Sequence, residues 1–139
     1  MPSRDEDAFV ERFLNREIAA RDFTHEMHVR AGWSLLTRMS YLQALERCAS
    51  IIRYMAEREG ASQKFNMTIT VAFLALIVEH IAATPGASTW REFISANAEL
   101  LDKAVLTRWY APERLKSPAA REGFVMPEPR RSRRIGRSA

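Results

Sequence analysis

His25 and His28 stand three residues apart, directly after Thr24, in the stretch Phe23-Thr24-His25-Glu26-Met27-His28. Residues i and i+3 of a helix share a face. If Thr24 caps a helix, both imidazoles leave its first turn toward the same space. Imidazole can accept a proton, donate one or bind a metal near neutral pH. Two chemistries follow: proton transfer with His25 and His28 as catalytic groups, or coordination. The competing structural reading is that His25 satisfies backbone groups at the helix start while His28 packs. A transition-metal site needs a third protein ligand, and the spacing is not the His-Glu-x-x-His of zinc hydrolases. No metal ligand is therefore assigned, and the residues name no cofactor.

A second polar group is Asn66, Thr68 and Thr70, at the expected start of another helix. These could line a pocket with amide and hydroxyl groups, or simply cap the helix. Arg121 could hold a carboxylate ligand with its guanidinium, or pin the chain end to an acid or to helix carbonyls. His80 lies about 80° around the helix from Thr70 and reads as a surface or interface residue. Cys48 is the only cysteine, which rules out an intramolecular disulfide and reads as a small core residue in an intracellular, cytoplasmic protein.

The elements that must position these groups are helical almost throughout. Phe9, Val10, Phe13 and Leu14 give one face of a first helix over roughly 5–16, with Asp5, Glu6 and Asp7 at the positive end of its dipole. A second helix runs from His25 to about Arg38. Ser40 caps a third over roughly 41–59, closed by Gly60. Thr68 or Thr70 caps a fourth that runs through Ala83 and is apolar nearly all round, which predicts a central position. Ser88 or Thr89 opens a shorter helix with Trp90, Phe93 and Ile94. A further helical piece spans Leu100 to Tyr110, and Pro112 and Pro118 start short turns. Trp33, Trp90, Phe93, Trp109 and Tyr110 read as packing. The expectation is an all-α, compact single-domain bundle over 1–128, with four main helices and shorter C-terminal ones.

Residues 129–139 form a separate basic tail. Arg130, Arg131, Arg133, Arg134 and Arg137 account for five charges, so the formal net charge of +4 becomes about −1 for residues 1–129. With almost nothing to bury, the tail is expected to be disordered without a partner. It lacks interleaved aromatics and follows no recognisable nucleic-acid fold, so nucleic acid is the disfavoured partner. The longest apolar run, Val71 to Val78, is far short of the ~20 residues that cross a bilayer. The first residues show no basic segment followed by an apolar run, so neither a signal peptide nor a membrane role is expected. Phosphate-binding glycine loops, Cys-x-x-Cys pairs and nucleophile elbows are all absent.

Three motifs occur in order. They are Phe23-Thr24-His25-x-x-His28-Val29-Arg30-x-Gly32-Trp33, then Lys64-Phe65-Asn66-Met67-Thr68-Ile69-Thr70. The last is Ser117-Pro118-Ala119-Ala120-Arg121-Glu122-Gly123-Phe124-Val125-Met126-Pro127-Glu128. Together they resemble a family of small uncharacterised bacterial proteins with Phe-Thr-His-x-x-His, Lys-Tyr-His-x-Thr-x-Thr and Ser-Pro-x-Ala-Arg segments, over roughly residues 9–128. The resemblance implies a compact helical domain and a shared polar pocket, with no assigned activity. It puts a histidine where this chain has Asn66 and a tyrosine where it has Phe65. An amide oxygen substitutes poorly for imidazole on zinc or iron.

Two functions remain open. One is a small-molecule-binding helical domain, with or without catalysis, whose polar pocket is built from His25, His28 and the start of the fourth helix. The other is a non-enzymatic interaction module that meets itself or an acidic partner, its basic tail adding attraction.

Overall fold

Local capping sets where the helices begin. The computed structural model describes residues 4–129 and contains, among them, seven α-helices and no strand. The helices pack against one another as an all-α fold. They are α1 (Arg4–Leu14), α2 (His25–Leu36), α3 (Tyr41–Arg58), α4 (Met67–Ala83), α5 (Trp90–Ala96), α6 (Pro112–Leu115) and α7 (Pro118–Glu122). The arginine tail lies, from Arg130 on, outside the described residues.

Thr24 caps α2 as its position predicts, its Oγ1 accepting from the Met27 amide at 3.2 Å. Ser40 opens α3 with a reciprocal capping box. Its hydroxyl accepts from the Gln43 amide, and the Gln43 side chain accepts from the Ser40 amide. Gly60 follows α3 with φ 68°, a left-handed conformation that glycine adopts without strain.

Two expectations are corrected. First, α4 is capped by Asn66, two and four residues ahead of the predicted threonines. Asn66 Oδ1 accepts from the Ile69 amide at 2.9 Å. Thr68 is engaged elsewhere, and Thr70 turns back to donate to the Asn66 carbonyl at 2.9 Å. Second, no α-helix spans Leu100 to Tyr110. Two 3₁₀ turns, Ala98–Leu101 and Val105–Arg108, stand there instead. Between them the Asp102 carboxylate accepts from the Ala104 amide at 2.9 Å, a local side-chain turn that competes with helix. Trp109 is 45% exposed, whereas Tyr110 is buried.

α4 packs against α2, α3 and α7. Its apolar surface is not fully covered, since Ile69 and Val78 are each 37% exposed. The aromatic centre of the core is Trp33, Trp90 and Phe93, with ring centroids 6.0–6.3 Å apart.

α2 and α4 run in the same direction. Their starts border one cavity, and their middles touch at Gly32. A Cβ on Gly32 would lie 2.8 Å from Ile77 Cδ1 and 3.0 Å from Leu74 Cδ2. Both side chains also line the cavity and have room to yield into it. Gly32→Ala gains about 1 kcal/mol in helix propensity, which offsets mild crowding. Its stability in chemical denaturation is expected to stay within about 1 kcal/mol of the parent. Gly32→Leu cannot be accommodated by that movement and is expected to cost about 3 kcal/mol or more.

Candidate functional site

The first turn of α2 meets the first two turns of α4 around a cavity of about 410 Å³. Thr24, His25 and His28 lie on one side; Asn66 and Thr70 lie on the other. The two halves of this wall are some forty residues apart in sequence. Cys48 and Ile52 of α3 supply part of the floor, with Leu74 and Ile77 of α4. Phe23, Phe65 and Phe73 make the wall mostly apolar, and Lys64 and Lys103 complete it.

The polar groups differ in what they have left to offer. His25 Nε2 lies 3.0 Å from the Leu100 carbonyl, so that nitrogen carries the proton and donates. Nδ1 is then the free acceptor. The ring meets Phe73 edge-on at 5.2 Å. His28 lies 6.5 Å from His25 between ring centroids and meets Phe23 at 4.2 Å in a tilted arrangement. Its ring nitrogens make no hydrogen bond among the described residues.

His28 is exposed to solvent on the open side of the cavity, with Phe23 and His25 as its ring neighbours. Lost hydration is the larger cause, followed by the neighbouring His25 and Lys103, and together they push its pKa down from 6.5 to about 4. At neutral pH His28 is an uncharged imidazole with an available lone pair. The Cys48 thiol is pushed up to about 12 by burial, which makes it inert as a nucleophile.

Asn66 is committed on both amide atoms. Beyond its cap, Nδ2 donates to the Leu115 carbonyl at 2.6 Å. Thr70 uses its hydroxyl hydrogen on the Asn66 carbonyl and keeps lone pairs for the cavity.

Thr68 and Arg121 are not among the residues that line the cavity. Thr68 is fully buried; its hydroxyl donates to the Gly123 carbonyl at 2.8 Å and accepts from the Val125 amide at 3.1 Å. Arg121 donates from Nη1 to the Lys116 carbonyl at 3.1 Å, the pinning role weighed for it above. His80 also lies away from the cavity. Far from being a free surface group, it bridges the Leu76 carbonyl and the Glu99 carboxylate, each at 2.9 Å.

Sequence reasoning passed over the two lysines and the three phenylalanines. Phe23 directly precedes the histidine motif, and Lys64-Phe65 directly precedes Asn66, so adjacency was an available signal. Lys103 carried none; the turn at Asp102 delivers it. Among the described residues no group of three or more His, Cys, Asp and Glu side chains is placed to hold a metal ion. No helix among them is long and apolar enough to cross a membrane.

Removing the α4 cap tests how the cavity wall is held. Asn66→Ala is expected to lower stability by about 1–2 kcal/mol in denaturant titration. His28 gives a pH signature. Both states are neutral at that side chain above pH 6.5. As pH falls, the unfolded chain takes up the proton first, so native stability is lost between about 6.5 and 4. His28→Gln is expected to remove that part of the decline, which parallel denaturation series at several pH values would measure.

Set against known protein families, curated proteins and solved structures, the chain matches none of them.

Proposed function

We propose that this protein is a small-molecule-binding helical domain whose ligand occupies the cavity between the starts of α2 and α4. The observation that carries the reading is an uncommitted imidazole facing a void of about 410 Å³. That size falls within the ordinary range for small-molecule sites, and such sites are mostly apolar with a few convergent polar groups. His28 and the Nδ1 of His25 serve as acceptors, and Thr70 adds a hydroxyl.

Recognition is favoured over catalysis at this site. A general base works best with a pKa near the working pH. An imidazole held near 4 stays neutral throughout the physiological range. It accepts a hydrogen bond well and abstracts a proton poorly.

A second reading is an interaction module. It is favoured by an apolar groove of about 250 Å³ on the far flank of α4, bordered by Trp109, Phe124 and Met126. The last two are 48% and 65% exposed. Contacts with a second copy or another protein would use that face.

A fragment screen read by ¹H–¹⁵N NMR, including the imidazole signals, separates the two. Binding is expected to perturb His25, His28, Thr70 and Phe73 as one set, and His28→Ala is expected to weaken it about tenfold, or 1.4 kcal/mol. Perturbations confined to Trp109, Phe124 and Met126 would transfer the function to the groove. Fragments that perturb neither set would overturn the cavity reading.

A further inference from the structure

We propose that the ligand of this cavity is a small organic anion with an apolar body, its acidic group answered by Lys64 and Lys103 and its body seated on the phenylalanine wall. This assignment rests on the cavity reading above and specifies the chemical class that fits it.

Charge is the first argument. The cavity lining carries two lysines and not one carboxylate. This is a local feature, because residues 1–129 hold nearly equal numbers of acids and bases. Both lysines are exposed, and neither forms an ion pair among the described residues.

Helix direction adds to it. α2 and α4 present their N-terminal ends to the same cavity, through Thr24 and His25 and through Asn66 and Thr70. Each carries the positive end of a helix dipole. Two such ends side by side repel each other weakly, and a negative charge between them relieves that.

Shape supplies the apolar half. Phe23, Phe65, Phe73 and Ile77 offer a hydrophobic surface that a bare inorganic anion would leave wet. A cationic or metal-bound ligand would meet lysine repulsion with no acid to offset it. A neutral apolar ligand would leave the cations unused.

The test uses the full chain and two fluorescent probes of nearly the same body. One is 8-anilinonaphthalene-1-sulfonate, an anion. The other is N-phenyl-1-naphthylamine, which lacks the sulfonate. The anion is expected to bind at least about tenfold more tightly than the neutral probe, and to shift the imidazole signals of His25 and His28. Lys64→Gln with Lys103→Gln is expected to weaken the anion about tenfold while leaving the neutral probe within about twofold. Lys116→Gln, at an exposed lysine outside the cavity, is expected to change neither. Raising ionic strength is expected to weaken only the anion.

Equal affinity for the two probes, with the histidine signals shifted, would overturn the anion assignment and leave the cavity reading standing. Loss of anion binding in the Lys116→Gln variant to the same degree would overturn it too. If neither probe moves the histidine signals, or if both move only Trp109, Phe124 and Met126, the assignment and the cavity reading both fail.

Discussion

A small residue at position 32 lets α2 lie close to α4, and most of the site follows from that separation. Ile77 and Leu74 enter the space that a Cβ at position 32 would take. The contact falls at the eighth residue of α2 and between the eighth and eleventh of α4, so the two starts come out level. Level starts are what place the histidine pair opposite Asn66 and Thr70. Parallel neighbours need a return element between them, and α3, at 18 residues, is about 27 Å long and spans the distance. It also contributes Cys48 and Ile52 beneath the cavity.

The opposite side of α2 is gripped by α1. Arg30 pairs with the buried carboxylate of Glu6, and its guanidinium covers the Phe9 ring at 4.5 Å. Eight residues further on, Arg38 donates to Asp7 at 3.0 Å and to the Ser34 carbonyl at 2.9 Å. Pairing inside a mostly apolar contact gains little over a hydrophobic substitute, but breaking such a pair is costly because it strands a charge. These arginines thus hold the angle of α2 more than they add to stability. The histidine face is left free of that task, which is why His28 can remain without a hydrogen-bond partner.

What could be read from the sequence follows the range of the forces involved. Thr24 and Ser40 act within three residues, and both caps are where the sequence places them. The start of α4 offered three residues of capping type, and local chemistry did not separate them. Distant chain decided it: Leu115 gives Asn66 an acceptor for its amide nitrogen, and Gly123 and Val125 occupy the Thr68 hydroxyl. Asp102 shows the reverse failure. A two-residue hydrogen bond broke a pattern whose apolar spacing read as helix, and in doing so carried Lys103 to the cavity and left Trp109 in solvent. The all-apolar character of α4 predicted burial on every side. Instead, one flank faces the cavity and another the Trp109 groove, so part of the apolar surface of α4 is left uncovered.

The bonds from Asn66 to Leu115 and from Thr68 to Gly123 and Val125 bridge 49, 55 and 57 residues. They fasten nearly the last part of the described chain onto the first turn of α4. During synthesis that turn therefore waits, its capping amide and its hydroxyl facing water, until residue 125 has left the ribosome. The chamber beside it is latched only once Val125 has emerged, so its closure depends on chain far downstream of the turn that borders it.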